Sequence, residues 1–131
     1  MDVVIVFIKN NKGEYFVHKR SVKKIVAPGF LGVGAGGKVK FGEVVDEAAK
    51  RELFEETGIN KTPKKLFTLT WGLWPILYNV HFYELIYNGK IPNSQEWEWS
   101  KWIRKSELLE LLDKHAFYFD TTEGLKKYFN H

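Results

Sequence analysis

The sequence predicts an α/β (α+β) fold in which helices pack on a mixed central sheet, and three observations carry that reading. Runs rich in β-branched and aromatic residues at 3–8, 14–20, 31–35, 65–70, 76–87 and 97–103 have strand length, and Asn, Gly or Pro bounds most of them. Stretches tolerant of helix at 46–57, 106–112 and 121–128 each have Asp, Ser or Thr at the N-terminal side. Strand and helix patterns are interspersed along the chain, without internal repeat, which is the pattern of layered mixed architectures. With 131 residues, a single domain over 1–131 is expected. A hydrophobic share of 44%, including 10 Phe, 6 Tyr and 5 Trp, is enough to offset chain entropy without staples.

Taken in order, residues 3–8 are a continuous apolar, β-branched run, the mark of a buried strand, and Asn10, Asn11, Lys12 and Gly13 turn it into a hairpin with 14–20. Residues 21–30 read as a basic loop containing Pro28 and Gly29, and 31–35 as one short glycine-interrupted strand. The helix over 46–57 takes Asp46 as its N-cap, Glu47 in its positive first turn and Gly58 as its stop. Strands over 65–70 and 76–87 flank a turn of Trp71, Gly72, Leu73, Trp74 and Pro75, and Asn88-Gly89 signals a tight turn. After the strand at 97–103, Ser106 caps a helix through Leu112, and Thr121 or Thr122 caps a last one through Tyr128.

Composition removes several classes of function. The chain has no cysteine, so disulfides, thiolate metal sites and a cysteine nucleophile are excluded, which suits a cytoplasmic location. No run approaches about 18 apolar residues and the opening has no basic n-region, so neither a membrane span nor a signal peptide is expected. A net charge of +4 favours anionic ligands but falls short of the basic signature of nucleic-acid binders.

The charge is unevenly placed. Lys9, Lys12, Lys19, Arg20, Lys23, Lys24, Lys38 and Lys40 face only Glu14 between residues 9 and 40, whereas Glu43, Asp46, Glu47, Glu52, Glu55 and Glu56 outnumber Lys50 and Arg51 between 41 and 59. Two solvated faces would explain this. The alternative is a site needing both signs, such as a polyphosphate held through a divalent cation with Lys or Arg neutralising the remainder. Six of the eleven glycines fall at 29, 32, 34, 36, 37 and 42, where the main chain either turns sharply or is approached closely.

If 46–57 is helical, Glu52, Glu55 and Glu56 fall within roughly 100° of one face. Like charges at these spacings cost roughly 0.2 to 0.5 kcal/mol per pair unless a cation relieves them, and Arg51, four residues before Glu55, relieves part. Oxygen-only donors suit Mg²⁺ or Mn²⁺, and His18, His81, His115 and His131 show no metal-ligand spacing. On the helix alone, a solvated acidic face and a metal site fit equally.

The wider spacing separates them. Gly37, five residues, Glu43, seven residues, then Arg51, Glu52, Leu53, Phe54, Glu55, Glu56, Thr57, Gly58 and Ile59 resembles the Nudix box, matching every defined position of that 23-residue pattern. The flanks, from Lys19, Arg20 and Ser21 through Pro28 and Gly29 to Ala35, Gly36, Gly37, Lys38 and Val39, are similar to the branch that resembles isopentenyl diphosphate isomerase. That enzyme's proton transfer uses a cysteine, so isomerisation does not carry over to this chain.

The resemblance implies an α/β/α sandwich and a hydrolase that cleaves a diphosphate linkage in a small, nucleoside-diphosphate-type substrate. It implies Mg²⁺ as cofactor, with Mn²⁺ able to substitute. The metal would be held by Glu52, Glu55 and Glu56 with a backbone carbonyl near Gly36 or Gly37. Arg51 would orient the glutamates, and Glu43 would brace Arg51 or reach the metal through water. The general base would be a box glutamate or a later loop glutamate, Glu96 first and Glu98 second. Outside the box, Arg20, Lys23 and Lys38 are the phosphate-binding candidates, with Lys24 beside them, and Trp71, with Trp74, is the candidate for stacking a base. A non-catalytic nucleotide-binding Nudix module and a 5′-end RNA pyrophosphohydrolase stay open at this point, as does a homodimer.

Overall fold

Residues 1–25 and 27–130 are described by a computed structural model, and His131 lies outside them. The apolar run near the N-terminus forms β1 (Asp2–Lys9), in the middle of a seven-stranded mixed sheet. It turns into β2 (Glu14–Arg20), pairs antiparallel with β4 (Ala35–Lys38), and lies parallel to β6 (Ile76–Ile86), which carries β5 (Lys64–Leu73) antiparallel on its far side. The second strand also pairs antiparallel with β3 (Leu31–Val33) and β7 (Trp97–Arg104). Among the described residues three helices accompany the sheet, α1 (Val45–Thr57), α2 (Lys105–Asp113) and α3 (Phe119–Phe129).

Side chains of a strand alternate between faces, and both faces of β1 are covered. Val4, Val6 and Ile8 meet Ala48, Ala49 and Leu53 of α1, whereas Ile5 and Phe7 meet Leu108 of α2 and Leu125 of α3. This gives the expected α/β/α layering and explains why residues 3–8 are apolar without alternation. The third helix sits close on the sheet because residue 124 is glycine, where a Cβ would strike the Phe82 ring.

The structure differs from the sequence expectations at several boundaries. Residues 31–35 form two strands rather than one. Gly34, at φ 71°, reverses the chain so that β3 pairs with β2 and β4 with β1, and its N–H donates to the Phe16 carbonyl at 2.8 Å. A Cβ there would fall onto the Val6 carbonyl oxygen. Gly34→Ala is therefore expected to destabilise the fold by about 1 to 3 kcal/mol, readable as a lower urea midpoint, through left-handed strain and the backbone clash.

None of the expected N-caps acts as one. The first helix starts at Val45 with Val44 as its cap, and Asp46 instead accepts the Tyr83 hydroxyl at 2.5 Å. The second starts at Lys105 after Arg104, leaving Ser106 inside it, and the third starts at Phe119 after Tyr118. Thr122 donates to the carbonyls of Phe117 and Tyr118, tying the first turn of α3 to the chain before it. At the other end of α1 the reading holds: Gly58, φ 77°, donates its N–H to Phe54 at 2.8 Å. Strand β5 runs on through Leu73, so Trp71 lies in the strand and the turn shrinks to Trp74 and Pro75. Asn88-Gly89 opens the connection to β7 rather than a hairpin, and Asn88 accepts the Asn11 N–H at 2.8 Å.

Candidate active site

Helix α1 packs over β4, and their contact gathers the acidic residues. Gly37 leaves the space that the Glu52 carboxylate occupies, since a Cβ at residue 37 would collide with it. Beside it the Gly36 N–H donates to Glu56 Oε2 at 2.8 Å. Glycine at both positions thus lets the carboxylates of α1 rest on the backbone of β4.

Arg51 ties the group together. Its Nε and Nη2 donate to the two oxygens of Glu43 at 2.8 and 3.0 Å, a bidentate pair. Its Nη1 donates to Glu52 at 2.8 Å and to Glu55 at 3.2 Å, and Nη2 also reaches the Lys38 carbonyl at 3.1 Å. The Arg51 guanidinium, with the Lys40 N–H, holds the Glu43 carboxyl at about 2, and Glu43 in turn raises the Arg51 pKa.

The remaining two carboxyls are shifted the other way. Burial raises Glu52 against the pull of Arg51, and burial pushes Glu56 up to about 8 against the Gly36 N–H, with the charges of Glu52 and Glu96 adding to the shift. Two carboxyls with raised pKa values on one helix face, with Glu55 beside them, offer an all-oxygen donor set that suits a hard divalent ion. Among the described residues no three acidic or imidazole side chains are already gathered around one point, because Arg51 draws Glu55 and Glu52 toward itself.

Glu56, Gly36 and Gly37 also line a cavity of about 440 Å³. Arg20 and Lys38 bring positive charge to its wall, and Arg20 offsets part of the upward shift of Glu56. Aromatic surface comes from Phe30, Tyr78 and Tyr118. The wall also contains Asp120, only 7% exposed, whose Oδ2 accepts the Tyr78 hydroxyl at 2.5 Å and whose Oδ1 accepts the Thr121 N–H at 2.6 Å. Burial and Asp120 together raise the Tyr78 hydroxyl, so Tyr78 remains the donor.

His18 lines the same cavity, stacked on Trp97 with ring centroids 4.4 Å apart. Desolvation, with the Arg20 charge, lowers its pKa from 6.5 to about 3. The folded state therefore holds His18 neutral where the unfolded chain binds a proton. Its contribution to stability is complete above about 6.5 and is lost as pH falls toward 3. His18→Gln is expected to flatten this acid limb, which thermal melts at stepped pH measure.

The sequence-derived candidates separate into two groups. Arg51, Glu52, Glu55, Glu56, Glu43, Gly36 and Gly37 come together around α1 and β4, and Arg20 and Lys38 stand on the cavity wall. Lys23 is exposed and outside that lining. Glu96 is ion-paired with Lys24 at 2.7 Å, and Glu98 pairs with Lys19 at 3.4 Å. Trp71 packs on Tyr78 and Phe119 and does not line the cavity. Sequence reading missed Phe30, Tyr78, Tyr118 and Asp120, which share no motif and come from a loop, β6 and the start of α3.

The family model described as NUDIX domain matches residues 1–123. An uncharacterized Nudix hydrolase of Nostoc sp. is 32% identical over 117 residues, covering 86% of this chain and 69% of that protein. One from Streptomyces coelicolor is 30% identical, covering 95% of this chain and 70% of its own length. The crystal structure of a MutT protein from Methanosarcina mazei superposes with a TM-score of 0.78 at 23% identity, over 100% of this chain and 96% of that one.

Proposed function

The chain belongs to the Nudix family, and from that premise we propose that it is a Mg²⁺-dependent pyrophosphohydrolase of a small nucleoside-diphosphate-type substrate. Nudix hydrolases cleave pyrophosphate linkages in nucleoside-diphosphate-linked compounds and generally use divalent metals. The observation that carries the reading for this chain is the seating of the Glu52 and Glu56 carboxyls on the Gly36–Gly37 backbone, with Glu56 opening on a cavity that bears Arg20 and Lys38.

Glu52, Glu55 and Glu56 would hold the ion, with a backbone carbonyl of Gly36 or Gly37. When bound, Mg²⁺ acidifies water, neutralises phosphate oxygens and fixes the line of attack. Arg51 keeps the glutamates in place, and Glu43 keeps Arg51 in place. Arg20 and Lys38 bind the phosphate oxygens left uncompensated. Glu96, whose charge adds to the upward shift of Glu56, is the first loop candidate for the general base, with Glu98 second and a box glutamate the alternative.

The nucleoside occupies the aromatic part of the cavity, against Phe30, Tyr78 and Tyr118, with its ring N–H donors toward Asp120. A carboxylate accepts from adjacent donors, as on a guanine edge, and repels an adenine ring acceptor. Asp120→Asn is therefore expected to shift the guanine-to-adenine ratio of kcat/KM by about tenfold or more toward adenine. The test of the function itself is a panel of nucleoside diphosphate sugars, ADP-ribose, dinucleoside polyphosphates and nucleoside triphosphates, normal and oxidised, assayed with Mg²⁺ and with chelator. Metal-dependent release of phosphate products is expected on at least one. Absence of turnover across the panel contradicts the reading.

A further inference from the structure

Strand β5 is the end of the sheet path, paired among the described residues with β6 alone, so its other edge presents a row of backbone donors and acceptors. It leads into an exposed apolar tip: Leu73 is 85% exposed, Trp74 84% and Ile76 82%. Side-chain needs are already met within the chain. Thr68 is hydrogen-bonded to His81 and Thr70 to Asn79, while Trp71 packs on Phe119 and Lys127 lies over Phe67. What stays unsatisfied is the strand edge and the tip beside it.

We propose that this edge pairs with the same edge of a second copy of the chain, giving a twofold, antiparallel β5–β5 dimer. Charge selects the partner and its direction. The strand carries Lys64 and Lys65 at one end, no acid anywhere between 64 and 73, and the apolar tip at the other end. Parallel pairing would set lysines on lysines. Antiparallel self-pairing sets each lysine pair beside the Trp74 tip of the other copy, where ammonium meets aromatic face. The register follows from the bulge between Lys65 and Phe67, which limits the regular strand to 67–73 and puts the twofold axis at Thr70. Thr68 then lies opposite the partner's Gly72, and Phe67 and Leu69 lie opposite Leu73 and Trp71 of the partner subunit on one apolar face. An interface of this kind falls toward the small end of stable ones, about 1,200 Å² in total, so the dimer dissociates on dilution. The proposal is independent of the catalytic reading.

Sedimentation equilibrium of the full chain over a range of concentrations tests it. The unaltered protein should pass from monomer to dimer, and Trp74→Glu should remain monomeric with an unchanged far-UV circular dichroism spectrum. Because the chain has no cysteine, Thr70→Cys introduces its only thiol, and a short thiol crosslinker should join two copies there but not in Lys12→Cys, in the β1–β2 turn. An unaltered protein that is monomeric throughout overturns the proposal. So does a dimer that survives Trp74→Glu, or one that crosslinks equally at both positions.

Discussion

Glu56→Gln is expected to make the metal-free protein more resistant to heat at pH 8 while slowing turnover by about 10² to 10³-fold. The two effects have one cause. Burial raises the Glu56 carboxyl from 4.5 to about 8. Below 4.5 it is neutral in both folded and unfolded chains and costs nothing. As pH rises from 4.5 through 8, the unfolded chain ionises more readily, and stability is lost over that window. Glutamine keeps the bond from the Gly36 N–H but has no charge to desolvate, so its advantage grows across the same window. It also removes a donor charge, so added Mg²⁺ should raise the melting temperature of the parent and do so less in the variant. Equal melting temperatures with and without metal in both proteins would contradict this account.

Arg51→Lys is expected to lower kcat by about one to two orders of magnitude and stability by about 1 to 3 kcal/mol. A lysine can replace one of the contacts to Glu43, Glu52, Glu55 and Lys38 but cannot reproduce the fork that binds both Glu43 oxygens. The loss should fall mainly on kcat, because Arg51 positions the carboxylates rather than the substrate. The double variant Arg51→Lys with Glu43→Gln should lose less than the sum of the two singles, since both disrupt one contact. Steady-state kinetics and denaturant midpoints on the four proteins measure both expectations.

The acidic half of the site was legible in the sequence because its chemistry is local: Arg51, Glu52, Glu55 and Glu56 lie on one helix, and glycines at 36 and 37 signal the close backbone approach that receives them. The core strand was legible because burial on both faces forces an unbroken apolar run. The caps were misread because the helix starts are fixed by packing, as at Asp46, whose side chain turns to Tyr83 instead. The split at Gly34 was hidden because the reversal depends on β1, 28 residues earlier at Val6, and not on neighbouring residues. The wall made by Phe30, Tyr78 and Asp120 brings together distant residues with no periodicity, so nothing local marks it. Trp71 was drawn toward the substrate by its place near a turn, yet a strand that runs two residues past it packs it on Phe119.

Mn²⁺ binding, followed by electron paramagnetic resonance in the presence of a non-hydrolysable diphosphate nucleotide analogue, tests the site most directly. The unaltered chain should take up the ion, with Glu52→Gln and Glu56→Gln each weakening uptake at least about tenfold, the equivalent of 1.4 kcal/mol. Uptake that is undetectable in the unaltered chain, or equal in all three proteins, would contradict the assignment of these carboxylates as the metal-binding centre.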